Sequence, residues 1–109
     1  MGHAGAPVVE DAFGVLAHPI RRELLRRLAR EEGRASDLAQ RLPVSRSAVS
    51  QHLRRMLALG VVAERSSGRE RYYSLRREGL ADVSDWLAEL DDFWARSLQR
   101  LGRHLDASS

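Results

Sequence analysis

The chain has no cysteine, lysine, asparagine or threonine. Without Cys there can be no disulfide, no thiolate metal site and no thiol redox sensor. Aromatic residues are few, and both Trp and one of the two Phe fall in a single C-terminal segment. No apolar run approaches the roughly 20 residues that a membrane helix needs. The N-terminus lacks a basic stretch followed by an apolar one, so no signal peptide is expected. There is no Gly-rich phosphate loop, and no Ser has a recognisable His and acid constellation. These absences lead us to expect a soluble, cytoplasmic protein that is not an enzyme, carries no cofactor and has no membrane partner.

The 109 residues make one small domain with a modest core of its own. All of its 18 basic residues are Arg, and they are unevenly placed. Residues 41–77 hold nine Arg against Glu64 and Glu70, a net charge of +7. Residues 78–109 hold three Arg against seven acids, a net charge of −4. A basic middle and an acidic end suggest one surface for a polyanion and another for something else. The lack of Lys also fits codon bias and carries no function by itself. Arg does supply the bidentate contacts that Lys cannot.

The densest signal lies at residues 45–60. Ser45 suits an N-cap, its hydroxyl accepting from a first-turn N–H. Gly60 suits the left-handed residue that closes a helix. Between them Val49, Leu53, Met56 and Leu57 recur at helical spacing and make a buried stripe. The opposite face carries Arg46, Ser47, Ser50, Gln51 and Arg54, with no acid among them. Arg suits guanine edges, Gln suits adenine and Ser suits either, which is what a helix in a DNA major groove requires. A solvated amphipathic helix would look similar, so the flanks decide.

Upstream, Val9 to Ala17 reads as a short first helix, broken at His18-Pro19. A second helix spans about 19–32, with Ile20, Leu24, Leu25 and Leu28 inward and Gly33 ending it. A third spans about 36–42, with Leu38, Ala39 and Leu42 inward. The tight link through Pro43 and Val44 then makes a helix-turn-helix with the helix above. Downstream, residues 61–65 and 71–75 are β-prone around a flexible, Gly-containing tip. This hairpin carries Arg65, Arg69 and Arg71. A basic hairpin directly after such a helix is a wing, whose Arg would reach phosphates or the minor groove. Residues 79–105 form the longest helix. Its stripe of Val83, Trp86, Leu87, Leu90, Phe93, Trp94, Leu98 and Leu101 is too long for so small a domain to cover, so a dimer seam is expected. Phe13 and Leu16 of the first helix are expected to join it. Residues 1–8 are expected to fray, 9–105 to form the domain and 106–109 to be a tail.

The element order, with the strings 16–22, 37–39, 45–53 and 68–75, resembles the ArsR-type family of bacterial winged-helix repressors. The resemblance covers roughly residues 9–105. It implies a mainly α fold with a small β-hairpin, a winged helix-turn-helix dimerising through its first and last helices. It implies a homodimer that represses by binding a palindromic operator in double-stranded DNA. Carried over, Arg46, Ser47, Ser50 and Gln51 would read bases or backbone, and Arg69 would be a wing contact. With the neighbouring polar groups, the candidate DNA contacts are Ser45, Arg46, Ser47, Ser50, Gln51, His52, Arg54, Arg55, Arg65, Arg69 and Arg71.

The chain departs from the metal-sensing branch of that family. Its Arg34 to Leu38 segment carries no thiol, and Asp82 and Asp85 have no nearby His to join His104 and Asp106. No metal site is expected. His18 is expected to cap or pack at the helix break rather than sense pH. His52 suits either a phosphate contact or packing at the core edge. Trp86 and Trp94 suit interface packing more than a ligand pocket. Whether an organic ligand, a protein partner or abundance alone switches the protein stays open. So does a second reading, in which the apolar last helix docks another protein and DNA affinity is only nonspecific.

Overall fold

The computed structural model describes residues 11–108, with side chains through Arg103. The frayed segment expected at 1–8 and the His104 and Asp106 side chains lie outside these. Helix α1 spans Ala12–Leu16 and starts on Asp11, whose carboxylate accepts from the Gly14 N–H at 3.2 Å. Helix α2 spans Pro19–Arg30, with Pro19 in its first turn. There Pro costs nothing, because that N–H has no intrahelical partner anyway. His18 precedes it without a side-chain cap bond, so of the two roles expected of it the structure shows packing at the break and not the cap. Its ring packs against His52 instead, with 4.6 Å between centroids.

Helix α2 ends two residues before the expected 32, and Gly33 does not terminate it. Glu31 is already extended at φ −162° and ψ 156°. Gly33 is buried and bridges to Tyr73, its N–H donating to the Tyr73 carbonyl at 3.0 Å and its carbonyl accepting at 2.8 Å. Helix α3 spans only Ala35–Leu38. The chain leaves it through Arg41, which sits in the left-handed region at φ 63°.

Helix α4 spans Arg46–Ala58, close to the expected 46–59. The Ser45 hydroxyl accepts from the Ala48 N–H at 3.0 Å, a cap that contributes about 1 kcal/mol. At the other end Gly60 takes φ 76°. Its N–H donates to the Leu57 carbonyl and the Val61 N–H donates to the Met56 carbonyl, both at 3.1 Å. This is a Schellman closure, and Met56 and Val61, the two positions it ties together, are both fully buried in the core.

Strands β1 (Val62–Ser67) and β2 (Glu70–Leu75) pair antiparallel, from Val62 opposite Leu75 to Ser67 opposite Glu70. Their connection is tighter than the expected flexible tip. It is a two-residue turn, Gly68-Arg69, with Gly68 at φ 62° as a first-position hairpin glycine requires. A 3-10 turn over Arg77–Leu80 leads into α5, Ala81–Ser108. The last helix therefore begins later and runs further than the expected 79–105.

The core gathers Val15, Leu24, Leu25, Leu28, Leu38, Val49, Leu53, Met56, Val61, Val62 and Tyr73 from α1 to β2. Helix α5 contributes little to it. Val83 is 8% exposed and already covered by its own chain, so it has little surface to offer a partner. Trp86 meets Phe13 edge-on at 5.9 Å between centroids. Beyond that contact the helix stands away from the body. Phe93, Trp94, Leu98 and Leu101 are each more than half exposed.

Candidate nucleic-acid interface

The Ser45 cap and the Gly60 closure fix both ends of α4, and the buried stripe of Val49, Leu53 and Met56 fixes its rotation. Arg46, Ser47, Gln51, Arg54 and Arg55 are therefore exposed, with Ser50 half-buried. Positions 46, 50 and 54 are four residues apart, so they share one flank of the helix. That flank faces the wing. Arg46, Ser50 and Arg54 line an open groove of about 440 Å³ together with Arg69 and Arg71. Five of the expected contacts thus meet at one place.

The opposite flank of α4 faces the start of α2. There Gln51, His52, Arg54 and Arg55 line a second groove of about 450 Å³ with Arg21. Arg54 borders both grooves and marks the crest between them. Ser45 stands at the head of the helix, with its oxygen taken by the cap.

Arg65 is not in either groove. It lies over the Tyr72 ring, 4.5 Å from the centroid, and is ion-paired to Glu32. This pair ties the outer face of the hairpin to the segment after α2 and holds the Glu32 carboxyl below its ordinary range. The sequence treats Arg65 and Arg69 alike, as two Arg in one basic hairpin. Only the fold separates them, one braced and one at the turn.

Five residues that line the wing-side groove are not among the expected contacts: Arg34, Ala35, Ser36, Glu70 and Tyr73. Arg34 donates to Asp37 at 2.9 Å and to Glu70 at 3.3 Å. Its guanidinium is pushed above its ordinary range by Asp37 first and Glu70 second, and Asp37 is lowered in return. The contact sets a cation beside Glu70, the acid in an otherwise basic groove, and it links α3 to the wing. Arg71 lies 3.4 Å from Glu64. Arg46, Arg54 and Arg69 have no ion pair among the described residues. Among the described residues they have no internal ion pair to give up on meeting a phosphate or a base. Among the described residues no group of three or more His, Cys, Asp or Glu could hold a metal ion, and no helix is long and apolar enough to cross a membrane.

A short helix, a turn, a second helix with a polar crest and a basic hairpin beside it define a winged helix-turn-helix protein. Residues 18–64 match the family model described as "Bacterial regulatory protein, arsR family". HTH-type transcriptional regulator Rv2034 of Mycobacterium tuberculosis is 38% identical over 98 residues, which are 90% of this chain and 89% of that protein. The transcriptional repressor SmtB homolog of Synechocystis is 39% identical over 90 residues, 79% of this chain and 68% of the relative. A solved structure described as "Possible transcriptional regulator for arsenical resistance" aligns with a TM-score of 0.67 at 44% identity, over 85% of this chain and 94% of that one. The chain belongs to the ArsR family and is a transcriptional regulator of the winged helix-turn-helix class.

Proposed function

We propose that the chain is a cytoplasmic, homodimeric repressor that reads a palindromic operator in double-stranded DNA. The observation that carries this reading is the wing-side groove, where Arg46, Ser50 and Arg54 of α4 meet Arg69 and Arg71 of the wing. Helix α4 enters the major groove with Arg46, Ser47, Ser50, Gln51 and Arg54 as its readers. The wing holds the adjoining backbone through Arg69 and Arg71, while Arg65 braces the wing. Repression is supported by the naming of the Synechocystis relative as a repressor. Dimerisation through α1 and α5, within one unit of residues 9–105, is supported by the apolar surface that α5 exposes. The same kinship with transcriptional regulators supports a role without catalysis.

Two substitutions separate reading from holding. Arg46→Ala should cost about 1–3 kcal/mol on the preferred duplex and flatten the preference at one base position. Arg69→Ala should weaken all duplexes alike and lower the salt slope by about 1. Binding isotherms on a duplex selected from a random pool, and on single-base variants of it, check both. Unchanged affinity and unchanged base preference in Arg46→Ala would remove that residue from the interface.

A further inference from the structure

The proposed function draws its readers from the wing-side flank and crest of α4 and gives no role to Arg21 and His52, which line the groove on the other flank. That flank is also basic and also structured. Arg21, at the start of α2, donates from its Nε to the Nδ1 of His52 in the middle of α4, at 3.1 Å. His18 packs its ring on the same imidazole. In this bond Nδ1 is the accepting nitrogen of the imidazole. The bond lays the Arg21 guanidinium along the flank of the recognition helix. Arg54 and Arg55 border the same groove.

A major groove is about 12 Å wide and is walled by two phosphate strands. A helix lying in it has one strand on each flank. The wing-side groove meets one strand. We propose that the groove on the α2 side, built on Arg21, His52 and Arg54, is a phosphate clamp for the opposite strand. Arg21 is the phosphate ligand, forking onto two oxygens as a guanidinium does. His52 is a positioning residue, since it holds Arg21 against the helix. Arg54, a reader on the crest, borders the clamp. The clamp fixes the depth and tilt of α4, so the readers on its crest meet base edges in register. It rests on the proposed function, because it presumes that α4 enters the groove.

Single neutral methylphosphonates placed along both strands of the selected duplex test it in the intact protein. In the wild type, one position on the strand opposite the wing should cost about tenfold in affinity. In Arg21→Ala, affinity starts lower, the salt slope falls by about 1, and that same methylphosphonate costs nothing further. A purely structural loss would leave the methylphosphonate penalty in place. His52→Asn retains an acceptor near the position of Nδ1 and should retain the coupling, whereas His52→Leu should lose most of it. The clamp is overturned if Arg21→Ala keeps the full penalty at every phosphate while Arg69→Ala loses one on the wing strand. If the wild type selects no preferred duplex at all, the clamp and the proposed function fail together.

Discussion

Gly79→Ala should cripple folding. Gly79 lies in the 3-10 turn that delivers the chain to α5, pressed against the closure of α4. A Cβ built there stands 2.0 Å from the Gly60 carbonyl oxygen and 2.7 Å from the Val61 Cα. Both obstacles are backbone, so no rotamer change relieves them. They are also held from other directions. The Arg76 N–H donates to the Val61 carbonyl at 2.9 Å, and the Arg76 guanidinium donates to the Gly60 carbonyl at 3.2 Å. Overpacking that side chains can absorb costs about 1–3 kcal/mol, and an immovable backbone raises this. We expect a loss of about 3 kcal/mol or more, a large share of the ~5–15 kcal/mol that such a domain has. Thermal unfolding followed by circular dichroism at fixed concentration should show the midpoint falling by roughly 12 °C or more. Gly102→Ala is the control, since a Cβ at that helical position meets nothing within 4 Å. It should be neutral or slightly stabilising. A Gly79→Ala midpoint within about 3 °C of the wild type would contradict the packing described for this joint.

The second large effect concerns the apolar stripe on α5. Trp94 and Leu98 are 58% and 61% exposed, so neither is needed to cover the core of its own chain. They lie four residues apart, on one face with Leu90 and Leu101. Charged replacements at both, Trp94→Glu with Leu98→Glu, should leave the fold intact and abolish self-association. A monomer holds one half-site where the dimer holds two. The second engagement gives an avidity gain of about 10²–10⁴, so affinity for a palindromic duplex should fall by at least about a hundredfold. Affinity for an isolated half-site should barely move. Sedimentation equilibrium and isotherms on the two duplexes measure this. A wild-type chain that is already monomeric would favour the reading in which α5 docks a different protein. A doubly substituted chain that still dimerises would place the seam elsewhere.

Much of the DNA-reading half was legible because its signals are local. The Ser45 cap, the stripe of Val49, Leu53 and Met56, and the left-handed Gly60 act within one helix, and the structure realises each of them. The wing was equally plain, since two β-prone runs and one glycine suffice for a hairpin. What escaped the sequence depends on partners distant in the chain. Gly33 looked like a helix terminator, but it pairs with Tyr73, and a single bridge leaves no periodic pattern. Helix α3 ends at Leu38, and the left-handed turn that follows at Arg41 is one that no glycine announces. Neither Arg21 nor Arg34 is among the contacts expected from the sequence. Only the folded chain lays one against His52 and the other against Glu70. Val83 belongs to the same helical stripe as Trp86, and burial by its own chain, which periodicity does not report, sets it apart.

Reading sequence through α4 differs measurably from merely attracting DNA through a basic middle segment. Binding isotherms on the selected palindromic duplex and on a scrambled duplex of equal length and composition, at two salt concentrations, test it most directly. A sequence reader should show a preference of about 10³ or more that persists at the higher salt, with half-sites about one helical turn apart. Equal binding to both duplexes, falling steeply and in parallel with salt, would mean that electrostatic attraction is all there is, and would contradict the account.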